Sequence, residues 1–343
     1  MKRFFSVLLL MCMTLTLFAC AKEEETPADG NEIFSPLFRF TVSEGKSAET
    51  RLFYLPKSDG FLYLHPDEAG GITGGFVSPA RSVSSEGMFK SNASLSSVLV
   101  WEDAKDRAHL LTDKELFTLL LKENGAHSTP LPEDFALENP VPLNPLSFIN
   151  EKSGLLLIHP VDFKETYVLA DSARLPDFGG VILAGDGGKK IWYARSDGSG
   201  YKGIGFFDYG SNLPLGNEDF PFDTFQTVGD SAVLFTRILV DGGALYIYRD
   251  LDSGETRSLV SNTVFEGVIC DVAGTVLCGT TSAGEGGTVQ VLDLQKGTKK
   301  GEYPIDYGTP SPSLAISADA ETLLVAIGKG RDEILGTLDL TKF

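Results

Sequence analysis

The sequence predicts an all-β protein, and three observations support this prediction. Short runs of aromatic and β-branched residues recur beyond residue 31, for example "RLFYL", "KIWYA" and "ALYIY". The 37 glycines are scattered between these runs, which is typical of turns that connect strands. The chain shows no long amphipathic helical pattern, and this disfavours a fold of alternating parallel strands and helices.

The apolar runs belong to a repeated unit in which a polar turn leads into a short apolar strand. These strands are predicted to begin near Phe61, Val98, Leu155, Ile191, Val233, Val276 and Leu323. Their spacing is close to the roughly 40–45 residues of a four-stranded propeller blade. The sequence therefore predicts a β-propeller over residues 33–343, with seven blades.

A hairpin follows the apolar strand in several units, most clearly in "ALYIYRDLDSGETRSLV". We expect Gly254, Gly297 and Gly125 to supply the positive φ that tight turns require. The segment "TDKELFTLLLKENG" also has the capping-box pattern of a helix, with Thr112 and Glu115 in the capping positions. The repeat pattern favours a strand at that place.

The units resemble the β-propeller repeats of the TolB-like and WD40-like families. "IWYARSDGSG" and "LYIYRDLDSGETRSL" are similar to TolB-like repeats. "LAISADAETLLVA" is similar to the turn written S-P-D-G-x-x-L, with Ala318 and Ala320 in place of its Pro and Gly. The resemblance covers most of residues 50–343, and it implies a fold rather than a function.

The two ends of the repeat region predict how the ring closes. The chain ends in "EILGTLDLTKF", a strand with no partner after it, and "IFSPLFRFTV" precedes the first unit. We expect the strand Ile33–Val42 to complete the last blade, because this joins the ends and removes an exposed edge.

The N-terminal segment has the pattern of a secretory leader. Two basic residues precede an apolar run over residues 4–18, which is shorter than the roughly 20 residues of a membrane-spanning helix. The sequence "LFAC", which ends at Cys20, resembles the lipobox of bacterial lipoproteins, although Phe18 stands where a small or β-branched residue is more common. The resemblance implies that residues 1–19 are a lipoprotein signal peptide and that Cys20 is acylated.

Acylation of Cys20 would attach the protein to a lipid bilayer, since each buried CH₂ contributes about 0.8 kcal/mol. Residues 20–32 are polar, acidic and contain Pro and Gly, which predicts a flexible tether. We therefore expect a lipid-anchored protein of the bacterial cell envelope that faces the periplasm or the cell exterior. An ordinary secretory signal that is cleaved elsewhere is the alternative.

The net charge is −18, from 29 basic and 47 acidic residues. A surface this acidic repels phosphate backbones, so nucleic acid is not expected as a partner. The simplest interpretation is that the charge keeps the protein soluble, and cation binding is the alternative.

Cys270 and Cys278 are the cysteines that remain after the leader, and they lie in "VICDVAGTVLCGT". A three-residue turn centred on Gly274 would place them opposite each other, at a separation that suits a disulfide. A two-residue turn would put them out of register and leave two separate buried thiols. Zinc is disfavoured, because it takes four ligands and no histidine is close in sequence.

The chain contains no nucleophile elbow and no histidine spacing typical of a metal site, so no catalytic residue, metal or cofactor is predicted. His65 and His159 each precede a proline at equivalent places in their units. The simplest explanation is a shared origin of the repeats, with a structural role for His-Pro at the end of a strand. The segment "GNEDFPFDTF" brings together Glu218, Asp219 and Asp223. It is predicted either to bind a cation or a partner, or to be a solvated connector between blades.

These expectations favour a non-catalytic, membrane-anchored propeller that binds a protein, a peptide or a glycan. On such folds the functional residues are carried by loops that are added to the common scaffold. Two alternatives stay open: a propeller hydrolase or lyase that acts on glycans or peptides through paired carboxylates, and a subunit of an envelope assembly complex.

Overall fold

The structure, a computed structural model, describes a defined part of the chain. The described residues are 33–41, 50–67, 71–78, 83–84, 87–93, 95, 98–131, 141–144, 147–151, 155–159, 164–169, 175–185, 190–208, 213–229, 231–284, 286–306, 308–330 and 332–343. The leader, Cys20 and the tether lie outside them. Ile33–Phe343 forms one compact unit. Within the described ranges, no helix has the length and apolar character needed to cross a membrane.

Strands make up most of the described residues. The first strands are β1 (Phe34–Thr41), then β2 (Arg51–Leu55), β3 (Gly60–Pro66), β4 (Ile72–Ser78), β5 (Val83–Ser84) and β6 (Phe89–Ser91), of which β2–β6 form sheet 1. Sheet 2 contains β7 (Leu99–Ala104), β8 (Arg107–Leu111), β9 (Glu115–Leu120) and β10 (Gly125–Pro130). Sheet 3 contains β11 (Val141–Asn144), β12 (Ser147–Glu151), β13 (Leu155–His159) and β14 (Lys164–Leu169).

The remaining strands form four more sheets. Sheet 4 contains β15 (Phe178–Gly185), β16 (Lys190–Ser196), β17 (Tyr201–Asp208) and β18 (Leu213–Phe222). Sheet 5 contains β19 (Thr224–Val228), β20 (Ala232–Ile238), β21 (Ala244–Asp250) and β22 (Thr256–Ser261). Sheet 6 contains β23 (Gly267–Cys270), β24 (Val276–Ala283), β25 (Gly286–Asp293) and β26 (Thr298–Ile305). Sheet 7 contains β27 (Thr309–Ile316), β28 (Thr322–Lys329), β29 (Asp332–Asp339) and β1, and a 3₁₀ helix (Leu340–Lys342) follows it.

The seven sheets of the described residues are antiparallel and follow one another around a ring. The first strands of successive sheets contact each other: β2 contacts β7 and β27, β11 contacts β7 and β15, and β23 contacts β19 and β27. Sheet 4 contacts sheet 5 through β15 and β20. This radial arrangement is that of a β-propeller. The all-β prediction is confirmed, and the predicted number of seven blades stays a prediction.

The ring closes as the sequence predicts. β1 pairs antiparallel with β29, from Phe34 opposite Leu338 to Thr41 opposite Asp332. Sheet 7 therefore contains both ends of the unit, and the last strand of the chain has no unpaired edge on that side. Strand β1 lies within the predicted range Ile33–Val42.

The cores lie between neighbouring sheets, and this explains the continuous apolar runs of the sequence. The middle strands are covered on both faces, so Gly60 to His65 of β3 are all buried. The contact between sheet 7 and sheet 1, called the seam below, buries Phe40, Leu52, Phe61, Tyr63, Val77, Ala315, Leu324, Ala326 and Leu335.

In two of the sheets the polar turn before the apolar strand has a hydrogen-bonding role. In sheet 6 the buried Asp271 accepts hydrogen bonds from the backbone N–H groups of Thr275 and Val276, both at 2.6 Å. In sheet 7 the hydroxyl of Ser317 accepts a bond from the Thr322 N–H at 2.9 Å. A short polar side chain thus satisfies the first donor of the following strand.

Three details of the repeat differ from the prediction. The strand near Val98 is β7, the first strand of sheet 2, and the strand near Leu155 is β13, the third strand of sheet 3, whereas the other predicted strands are second strands. The second strands of these two sheets are β8, which begins at Arg107, and β12, which begins at Ser147. In the β9–β10 turn the positive φ, 50°, belongs to Asn124 and not to Gly125, while Gly254 and Gly297 have the predicted positive φ. Glu115–Leu120 is a strand, as the repeat predicts.

Candidate functional site

The predicted acidic segment is part of a strand rather than a connector. Glu218 and Asp219 lie in β18, at the outer side of sheet 4, and Asp223 follows that strand. Neighbouring residues of a strand point to opposite faces, so the first two carboxylates do not converge. The segment therefore does not form a common ligand set.

Asp219 belongs to a charged cluster on sheet 4. Arg195 on β16 bonds Asp219, and its guanidinium also donates to Asp177 at 2.9 Å. Lys202 reaches Asp177 at 2.8 Å. Hydrogen bonds from Lys202 and Arg195 lower the pKa of Asp177. The cluster pairs two cations with two anions, so it is neutralised by the chain itself.

The other two carboxylates of the segment also have partners within the chain. Arg249 of β21 donates to Glu218 at 2.6 Å, which links sheet 5 to sheet 4. Asp223 accepts a hydrogen bond from the Ile238 N–H at 2.6 Å, at the end of β20. These contacts give the carboxylates structural roles.

The disulfide prediction is wrong. Residues 271–275 connect β23 and β24, and Cys278 lies opposite Ile269 while Cys270 lies opposite Leu277. The two cysteines are one position out of register and pack in different cores. Both thiols are free and buried, and burial raises the pKa of each. The alternative of two separate buried thiols is the correct one.

Two of the histidines, His65 and His109, have contacts within the chain that account for them. His65, at the end of β3, is buried in the seam beside Phe40. His159 ends β13, the third strand of sheet 3, whereas β3 is the second strand of sheet 1, so the expected equivalence of the two histidines is wrong. His109 stacks on Trp101 with ring centroids 5.1 Å apart, and its Nε2 lies 3.1 Å from Asp103. Among the described residues, no group of three or more His, Cys, Asp or Glu side chains is arranged to hold a metal ion.

One surface stands out that the sequence analysis did not identify. Six large apolar side chains are exposed in the described residues, and four of them lie at the same end of sheet 5. We call this set the apolar end; it consists of Ile238, Val240, Val260 and Val264. Ile238 is in register with Ser261 and not with Val260, so these two side chains point to opposite faces of the sheet. Val260 is 64% exposed, and Val240 is fully exposed. The other two, Leu215 and Val272, lie in β18 and in the β23–β24 turn.

Hydrogen bonds fix the backbone next to Val240 and Val264. The turn that carries Val240 is closed by hydrogen bonds from Leu239 N–H to Gly243 O, 2.8 Å, and from Gly242 N–H to Leu239 O, 3.0 Å. The segment with Val264 is fixed by the buried Tyr246, whose hydroxyl accepts a bond from the Phe265 N–H at 3.0 Å. Exposure here is a property of the folded sheet, not of a loose loop.

The signal for this surface is visible in the sequence in retrospect. Apolar residues in "ILVDGG" continue past the end of β20 into the turn, where polar residues are usual. Only the structure shows that no neighbouring sheet covers these side chains within the described residues.

Comparison with known proteins supports the architecture. No protein-family model matches the sequence, and no curated protein matches it. An oligogalacturonate lyase in complex with manganese matches with a TM-score of 0.60 at 10% identity, over 92% of this chain and 99% of that chain. The β-propeller domain of Cps50 (Swd1) from Myceliophteria thermophila matches with a TM-score of 0.55 at 9% identity, over 87% and 98% of the two chains.

A third solved structure, U3-55K, matches with a TM-score of 0.52 at 8% identity, over 88% of this chain and 98% of that chain. Identities this low show the fold alone. The fold class is a β-propeller, in agreement with the ring of sheets. The structures that share it include a lyase, so the fold does not separate an enzyme from a binding protein.

Proposed function

We propose that the protein is a membrane-anchored, extracytoplasmic lipoprotein that acts as a non-catalytic binding propeller. The observation that carries the proposal is the apolar end of sheet 5. Exposed apolar side chains around one end of a sheet are typical of protein–protein contacts. The ring holds this surface in a fixed geometry, and the lipid on Cys20 keeps it near the membrane.

The partner that fits best is a protein with an apolar docking site and a basic rim. Burial of Val240 and Val260 on binding would contribute roughly 1.5–3 kcal/mol per side chain before ordering costs. The chain carries a net charge of −18. Such a surface repels a second copy of itself and attracts a basic protein, so association is expected to weaken and slow as salt is added.

The anchor is tested by replacing Cys20 with Ser. We expect this change to abolish incorporation of labelled fatty acid and to move the protein from the membrane fraction to the soluble fraction, because the acylated thiol is lost. Metabolic labelling followed by fractionation measures both. Replacement of Cys12 with Ser is the matched control, and it should leave labelling unchanged. Continued labelling of the Cys20→Ser chain would refute the anchor.

The docking surface is tested by combining Val240→Asp with Val260→Asp. A buried charge at either position is costly, so we expect recovery of the crosslinked partner from the native envelope to fall at least tenfold. Leu215→Asp is the control, because Leu215 is similarly exposed, at 51%, but lies outside the apolar end. Equal recovery from both variants would reject the surface. Cleavage of glycans or peptides by the purified chain would favour the hydrolase or lyase alternative.

A further inference from the structure

Two ionisable side chains are buried together in the seam. Glu333 of β29 is fully buried, and His65 of β3 is 4% exposed. His65 Nδ1 lies 3.8 Å from Glu333 Oε2 and 2.9 Å from the hydroxyl of Thr50, which is also buried. Phe40 of β1 stacks on the imidazole, with ring centroids 4.4 Å apart. The closing strand, sheet 7 and sheet 1 therefore meet at this pair.

Within the described part of the chain, the carboxylate of this pair lacks hydrogen bonds that would stabilise its charged form. Among the described residues, neither carboxylate oxygen of Glu333 has a hydrogen bond of normal geometry. An ionised carboxylate in such a place would pay a large desolvation cost, whereas a neutral carboxylic acid would not. A buried imidazolium would pay a similar cost. The geometry thus favours the state in which both side chains are uncharged.

No other charged group on the packed strands lies within ion-pair distance of either side chain in the described residues. Tyr63 is two residues from His65 on β3 and lies in the same core. Arg39, Arg51 and Asp332 are one position out of register with the pair, so they belong to the opposite faces of their strands. Lys329 takes the register position opposite Asp332.

We infer that Glu333 and His65 share one proton in the folded protein, that it resides on Glu333, and that gain or loss of a proton there weakens ring closure. The pair therefore limits the range of pH over which the seam is most stable. With one proton the seam is uncharged. With two protons it holds a buried cation, and with none it holds a buried anion.

The direction of each pKa agrees with this arrangement. Burial raises the pKa of Glu333 from 4.5 to about 7, with the Thr50 hydroxyl opposing the change. Burial lowers the pKa of His65 from 6.5 to about 4. The stability that Glu333 contributes is present at low pH and is lost as pH rises from 4.5 through 7. The stability that His65 contributes is present above 6.5 and is lost as pH falls towards 4.

The two dependences oppose each other in the native chain. Between about pH 4.5 and 6.5 the unfolded chain also carries one proton on this pair, but on the histidine. Folding then moves the proton without releasing it, so the pair gives no net pH dependence in that range. Removing either partner should expose the dependence of the other.

The test is denaturant unfolding from pH 4 to 8 for the chain from residue 20 with Cys20→Ser, alone and with Glu333→Gln, His65→Gln or both. We expect Glu333→Gln to lose stability on acidification below 6.5, and His65→Gln to lose stability as pH rises above 4.5. Each slope should approach a tenfold change in the unfolding constant per pH unit. The double variant should show neither slope, since both titrating groups are gone. The parent should show neither slope between about pH 4.5 and 6.5, where the two dependences cancel.

Single variants whose pH profiles run parallel to the parent would overturn the inference. If a variant fails to fold, the nitrogen chemical shifts of His65 in the parent give the same answer. A neutral imidazole at pH 6 is expected. An imidazolium at that pH would overturn the assignment of the proton to Glu333.

Discussion

Replacing Phe40 with Ala is expected to lower the free energy of unfolding by about 3–5 kcal/mol, the usual cost of removing a buried aromatic ring. Phe40 is 8% exposed, stacks on His65, and lies 5.5 Å from the ring of Tyr63. These contacts join the N-terminal strand to sheet 1 across the seam. The change therefore weakens both the core and the closure of the ring, and denaturant unfolding measures it.

The neighbouring residue Arg39 supplies the control for this prediction. Its side chain is exposed on the same strand, so Arg39→Ala should change the free energy of unfolding by no more than about 0.5 kcal/mol. Deleting the closing strand, predicted as Ile33–Val42, should cost more than Phe40→Ala because every β1–β29 hydrogen bond is lost with it. Unchanged stability after the deletion would contradict closure by β1.

Replacing Gly274 with Ala is expected to cost at least about 3 kcal/mol, for two separate reasons. Gly274 has a φ of 61°, and an added Cβ would lie 2.4 Å from Cδ1 of Tyr248. The Tyr248 ring is buried and cannot move freely, because its hydroxyl donates to Val272 O at 2.8 Å. The substitution thus imposes both backbone strain and a steric clash.

Gly297 separates these two effects. Its φ of 66° is similar, but nothing lies within 4 Å of an added Cβ. Gly297→Ala should therefore cost only the left-handed backbone strain, about 1–2 kcal/mol. The comparison is made by denaturant unfolding of the two variants side by side. Equal costs would show that the Tyr248 contact does not constrain this turn.

Much of the fold could be predicted because its physical causes are local. Strands covered on both faces appear as continuous apolar runs, and the turn residues that precede them must accept backbone hydrogen bonds, as Asp271 and Ser317 do. The error at Val98 has a local cause as well. The true second strand, "RAHLL", contains Arg and His and is less apolar than "SVLVW".

Less of the candidate site could be predicted, because its contacts are distant in sequence. The sequence displays Asp219 and Glu218 but does not display Arg195 and Arg249 as their partners, which lie on other strands. The register of the cysteines depends on the length of one turn. Exposure of Val240 depends on which surfaces the other sheets leave uncovered, and a pattern of apolar residues does not contain that information.

The most direct test of the proposed function is photo-crosslinking in the intact envelope from a photoreactive residue at position 240, compared with one at position 215. We expect a discrete adduct with a basic protein from position 240, lost when Val260→Asp is added, and no such adduct from position 215. Adducts of equal yield from both positions, or none from position 240, would contradict the apolar end as the docking surface.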